Sequence, residues 1–290
     1  MIFLKKILFL SLILSAACFV SIGCSSNKTP ISGGKSVQTT SQPFTERSVG
    51  STDGTYVFDK AGILSSEALK ACNDYAGWLF SEKLINVAVI ITNDLNGKAP
   101  YDYAVDEFGE IYEGKGSGLV ILINNATNED IVYRTGSCLT NISQTTENNA
   151  LYWETKELIG GDYRRGIMRL LQLGELCPEH FIDNAQIFGY EDIRRFENAL
   201  SDVKEDVTIL ATRNGTKTPN EDILKAYYKR KAQDGTGIML MLDTESRSVI
   251  AYSAEPLPSK IEKVMKDVNG MSSKNDYTGA IDKFIEAITK

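Results

Sequence analysis

The residues able to do chemistry in this chain are few, and several reactions fall away at once. A single histidine, His180, leaves no histidine-rich zinc site and no H-E-x-x-H, and no G-x-S-x-G elbow accompanies it. Beside a domain junction it reads as a surface residue. No cysteine opens a cysteine-then-arginine phosphatase loop, and no D-x-D supports an aspartyl-phosphate route. The run Gly109-Glu110-Ile111-Tyr112-Glu113-Gly114-Lys115 begins like a phosphate-cradling loop, but Gly116 stands where Ser or Thr is required. The run also follows a helix and precedes a strand, the reverse of what a helix N-terminus needs to hold phosphate. It reads as a glycine hinge. What remains is a set of carboxylates and amides at element ends: Asp59, Asp94 and Asn124 after three strands, and Asp162 at a helix start. Ligands of open α/β sheets collect beyond the carboxyl ends of strands, so these oxygens are candidates for a hard cation, Ca²⁺ or Mg²⁺, with Asp59 and Asp94 as the metal ligands. Structural roles compete. Asp162 and Asp276 suit helix N-caps, Asp94 suits a turn, and Arg134 either meets an anion or satisfies Asp59. Asp59 has the least local explanation, and Asp183 is its counterpart further on.

The elements that must position these residues follow from periodicity. Ser65 caps a helix whose Leu69, Cys72, Tyr75, Ala76, Leu79 and Phe80 recur at three- and four-residue steps. Val87 to Thr92 is a buried strand, and Pro100 opens a helix with Tyr101, Val105, Phe108 and Tyr112 on one side. Leu119 to Ile123 is an uninterrupted apolar strand that turns through polar residues into Ile131 to Tyr133, a central hairpin. Glu147 to Ile159 and a helix from Asp162 to about Leu176 complete the first half. Helices alternating with short apolar strands imply an α/β layered domain. The plan then repeats. Phe181 to Phe188 matches Val57 to Leu64, a helix spans Ile193 to Val203, and strand Val207 to Ala211 and a helix from Asn220 follow. Ile238 to Leu242 and Val249 to Tyr252 form a second hairpin before two closing helices. The recurrence predicts tandem domains at 55–178 and 181–290, the second a degenerate copy.

The N-terminus sets the address. Lys5 and Lys6 precede an apolar run, and Ser21-Ile22-Gly23-Cys24 meets polar sequence at once, which resembles a bacterial lipoprotein signal over 1–24 with Cys24 lipidated. Residues 25–54 are Ser-, Thr- and Gly-rich and read as a flexible tether, with an r.m.s. span of roughly 30 Å. Loss of the signal removes two lysines and no acid, leaving 29 basic residues against 38 acidic. Such a charge disfavours nucleic acid and leaves membrane contact to the lipid. Cys72 falls on an apolar helix face and reads as core; Asn125, Asn141 and Asn214 read as turn residues; a Cys138–Cys177 bond stays open.

The Val57-Phe58-Asp59-x-Ala61-Gly62-Ile63-Leu64 start, the Val87–Thr92 and Gly118–Ile123 strands, and Arg134-Thr135-Gly136 together resemble the TPM domain. In the second copy Ser253-Ala254-Glu255 replaces Arg134-Thr135-Gly136. The expected fold is α/β: two tandem three-layer α/β/α sandwich domains, each with a small mixed sheet and a central hairpin. The expected function is a lipid-anchored, extracytoplasmic module that binds a protein partner without catalysis. The resemblance also implies an alternative, a metal-dependent acid-type phosphatase, for which Asp59, Asp94 and Arg134 would supply metal and phosphate contacts.

Overall fold

The chain was analysed as a computed structural model that describes residues 54–232 and 236–289. The expected lipoprotein signal with Cys24, and the expected tether up to residue 53, lie outside the described residues. Two four-stranded mixed sheets carry the fold, each flanked by helices on both faces, and they make two tandem α/β domains.

In the first sheet β1 (Val57–Asp59), β2 (Asn86–Thr92) and β3 (Gly118–Asn124) run parallel, and β4 (Ile131–Thr135) returns antiparallel to β3. Every residue of β2 and β3 is buried, as their unbroken apolar runs predict. Alternation then sends side chains to two separate cores. Val87, Val89, Ile91, Leu119, Ile121 and Ile123 meet α1 (Ser66–Glu82), α4 (Gln144–Ile159) and α5 (Tyr163–Leu171). Ala88, Ile90, Val120 and Leu122 meet α2 (Pro100–Tyr112) on the other face. Each fully buried aliphatic or aromatic side chain is worth about 1.5–3 kcal/mol, so these strands are the main source of stability.

The second sheet repeats the arrangement with β5 (Phe181–Asp183), β6 (Val207–Thr212), β7 (Ile238–Asp243) and β8 (Ser248–Tyr252), the first three parallel and the last antiparallel. One face packs on α6 (Tyr190–Ser201), α8 (Ser259–Ser272) and α9 (Tyr277–Thr289), the other on α7 (Asn220–Lys231). Leu84, which follows α1 with a positive φ of 51°, joins the cluster of Leu224 and Tyr227 in the second domain.

Local signals placed most elements, with instructive differences. Ser65 does cap α1, its hydroxyl accepting from Ala68 N–H at 3.2 Å, and Cys72 is fully buried there. In α2 the buried side is Tyr103, Ala104, Phe108 and Tyr112, while Tyr101 is 57% exposed. The face turned to the strands thus carries Tyr103 and Ala104 in place of the expected Tyr101 and Val105. Gly118 lets this helix settle, since a Cβ there would stand 2.5 Å from the Phe108 ring. A short helix α3 (Ser137–Asn141), which the sequence reading did not expect, follows β4 and ends on Asn141, so that asparagine lies in a helix rather than a turn. α4 starts earlier than expected because Ser143 caps it, and α5 gives way at Leu171 to a 3₁₀ turn over Gln172–Leu176. Among the described residues no helix is long and apolar enough to cross a membrane.

Candidate functional site

Each expected site residue has a definite place. Asp59 ends β1, and its two carboxylate oxygens accept from Ile63 N–H at 3.2 Å and Leu64 N–H at 2.8 Å. These bonds close the turn through Gly62, whose φ is +66°. The aspartate that lacked a local explanation therefore has one, a loop cap. Asp94 is exposed beyond β2 and accepts from Asn96 N–H at 2.7 Å. Asn124, buried at the end of β3, donates to Thr127 Oγ1 at 2.5 Å and accepts from Ala126 N–H at 3.2 Å, shaping the hairpin turn. Asp162 accepts from Arg165 N–H at 3.0 Å and caps α5.

Arg134 does not reach Asp59. Its Nε pairs with Glu147 Oε2 at 2.6 Å, and its other nitrogens donate to the Ile142 carbonyl and to Gln144. Register gives the reason. Asp59 lies level with Ile91 and Ile123, whereas Arg134 lies opposite Leu119, four residues back along β3 or about 13 Å. Arg134 and Asp59 also stand on opposite edges of the sheet. Asp59, Asp94 and Asn124 thus share the carboxyl edge, and Arg134 belongs to the other end.

A hard divalent cation takes six to eight oxygens, waters included, and here the protein oxygens are turned to their own loops. Both oxygens of Asp59 already hold backbone N–H groups, and Asp94 folds back on its own loop. Among the described residues no three His, Cys, Asp or Glu side chains gather as a cage. An open cavity of about 510 Å³ lies instead between α2 and β4, lined by Phe108, Gly109, Gly114 and Tyr133 with Lys98 and Asp106 at its rim. None of the expected site residues lines it.

The polar chemistry concentrates where the two domains meet. Arg230, near the end of α7, donates to the Phe80 carbonyl at 2.6 Å, the Ile85 carbonyl at 2.7 Å and Asn86 Oδ1 at 2.9 Å. Its guanidinium also lies 3.4 Å from the centre of the Phe80 ring. Asn184 Oδ1 accepts from the Ser117 N–H at 3.1 Å and from the Ser117 hydroxyl at 2.5 Å. Its amide donates to Tyr227 OH at 3.2 Å. Asp183 N–H donates to Ser137 Oγ at 3.0 Å. The carboxyl end of β5 therefore abuts the amino end of β3 and the start of α3, and α7 abuts the amino end of β2.

Asp183 is fully buried in this junction. Its Oδ2 accepts from Phe188 N–H at 2.9 Å, five residues on, as Asp59 does from Leu64. Among the described residues its Oδ1 has no hydrogen-bond partner, and burial pushes the carboxyl up to about 6 despite the backbone donors around it. Elsewhere on the same edge, Asp243 is buried too, yet donors from Asn214, Ser246 and Asn220 hold it below the ordinary range. Sequence reasoning passed over Asn86, Ser117, Ser137, Asn184 and Arg230; the one available signal was Asn86 opening an apolar strand. His180, expected at the surface, is partly covered, its Nδ1 lying 3.2 Å from the Val207 carbonyl.

Comparisons with known proteins bear on the first domain. No curated protein matches the chain. The solution structure of the N-terminal domain of a P. gingivalis protein is 15% identical, covers 43% of this chain and 83% of its own, and superposes with a TM-score of 0.39. That of the N-terminal domain of a Corynebacterium glutamicum protein is 13% identical, covers 44% and 83%, and gives a TM-score of 0.37. The family model of the TPM domain matches residues 57–172, the span that holds the first sheet and its helices. The match takes in 116 of the chain's 290 residues.

Proposed function

We propose that this protein is a non-catalytic, extracytoplasmic binding module, held to a bacterial membrane through a lipid on Cys24 and carrying its TPM domain to a protein partner. One observation carries the reading. The polar groups at the carboxyl edge of the first sheet are committed to their own loops, and the cationic group expected beside them is paired with Glu147 at the other end. A metal-dependent phosphatase would need Asp59, Asp94 and Arg134 on one phosphate, and the register keeps Arg134 about 13 Å away along the strands. The likeness of the domain to its family supports a fold and leaves the activity to the site itself.

The test uses the full chain expressed in a bacterium, with Cys24→Ala and Asp59→Asn beside it. The wild type is expected in the membrane fraction and the Cys24→Ala variant outside it. Neither wild type nor Asp59→Asn is expected to hydrolyse p-nitrophenyl phosphate in Mg²⁺ or Ca²⁺. Turnover by the wild type that vanishes in a folded Asp59→Asn protein would replace the binding reading with the phosphatase. Wild type in the soluble fraction would overturn the lipid anchor.

A further inference from the structure

We propose that Cys138 and Cys177 are joined in the mature protein as a disulfide, a covalent staple placed where the first domain hands the chain to the second. The two sulfurs lie 3.4 Å apart, and the two residues are 0% and 1% exposed. A disulfide holds its sulfurs about 2.05 Å apart, so closure takes a shift of about 1.4 Å, within reach of side-chain rotation. Cys72, the third buried thiol, points elsewhere, its sulfur 3.9 Å from the Arg164 carbonyl.

Burial decides what kind of disulfide this is. A redox catalyst keeps an exposed thiol with a lowered pKa. Here burial, together with the contact from Cys177, raises the Cys138 thiol well above its ordinary value, so the folded pair is a poor nucleophile and hard to reach. Those are the properties of a structural bond formed while the chain folds.

Its position gives it a task. Cys138 lies in α3, directly after Ser137, whose Oγ accepts from Asp183 N–H across the domain junction. Cys177 begins the connector that runs through Pro178 to His180 into β5. One bond fixes both the helix that receives β5 and the chain that delivers it.

The chemistry balances by thiol–disulfide exchange. The thiolate of one cysteine attacks a small or protein disulfide that acts as oxidant, displacing one of its sulfurs. The thiolate of the second cysteine then displaces the other half. One S–S bond forms as one breaks, two electrons pass to the oxidant, and the two thiol protons end on its two released sulfurs.

The inference rests on the extracytoplasmic address, because cytoplasmic thiols are kept reduced. Full-length protein exported by a bacterial host is denatured, alkylated with N-ethylmaleimide before and after reduction, and mapped by mass spectrometry. Cys72 is expected to alkylate at once, and Cys138 and Cys177 only after reduction, from a single joined peptide. Reductant is expected to lower the melting midpoint of the wild type by on the order of 10 °C and to leave the Cys138→Ala, Cys177→Ala double variant unmoved. The reduced wild type carries the same comparison without any substitution. Free Cys138 and Cys177 after refolding in glutathione and glutathione disulfide would overturn the staple. A joined pair after refolding, with free thiols in protein that the host retains in its cytoplasm, would support the staple and overturn the extracytoplasmic address instead.

Discussion

Asp59 and Asp183 end the first strand of their respective sheets and cap the same kind of loop, yet they meet different surroundings. Asp59 is partly exposed with both oxygens bound; Asp183 is fully buried with one oxygen unpartnered among the described residues, and its carboxyl rises to about 6. The consequence for stability has a definite sign. Between an ordinary carboxylate pKa near 4 and the raised value, the unfolded chain has released a proton that the folded chain keeps, so stability falls as pH rises through that window. Below the window both states are protonated and the effect disappears; above it the penalty is constant, on the order of 3 kcal/mol for a shift of about two units. Asp183→Asn still offers an amide oxygen to Phe188 N–H and cannot ionise. Its melting midpoint, followed from about pH 4 to pH 6, is expected to fall less steeply than that of the wild type. Parallel curves would assign the slope to other groups.

At the scale of elements, Arg134-Thr135-Gly136 shows what a short motif is for. Arg134 ties β4 to α4 through Glu147, and Gly136 swings the chain from β4 into α3 at φ 59° and ψ −136°, a region reserved for glycine. A Cβ at Gly136 would also stand 2.7 Å from Ser117 Cα, backbone that cannot step aside. Gly136→Ala is expected to cost about 3 kcal/mol or more, read as a lowered urea midpoint with an unchanged slope. A midpoint within error of the wild type would mean that the β4–α3 turn relaxes freely. Such elements were largely legible beforehand, because periodicity and caps are written within a few residues: Ser65, Pro100 and Asp162 each start a helix where expected. The buried face of α2 was not legible, since it is set by how the helix lies on the strands. The strand-end residues could be placed but not read for purpose. That Asp59 reaches the Leu64 N–H is decided by a turn geometry that the spacing leaves open. The junction was invisible, because Arg230 looks like one more cation in the last turn of α7 while its acceptors lie about 145 residues away.

For the molecule as a whole, Arg230 is expected to couple the melting of the two domains. Replacing it with Met keeps much of the packing but strips the donors from the Phe80 and Ile85 carbonyls and from Asn86 Oδ1, a loss of about 3 kcal/mol in a buried site. In calorimetry the wild type is expected to give one cooperative transition and Arg230→Met two, the first at lower temperature. A single, unmoved transition in Arg230→Met would show that the junction contributes little. Leu84 carries the same theme into evolution. It springs from the first domain but finishes its burial among Leu224 and Tyr227, far beyond the Gln172 limit of family likeness. The unit that sequence comparison recognises is therefore smaller than the unit that water accepts. The first domain, transplanted without its neighbour, would carry an orphaned apolar knob in search of new cover.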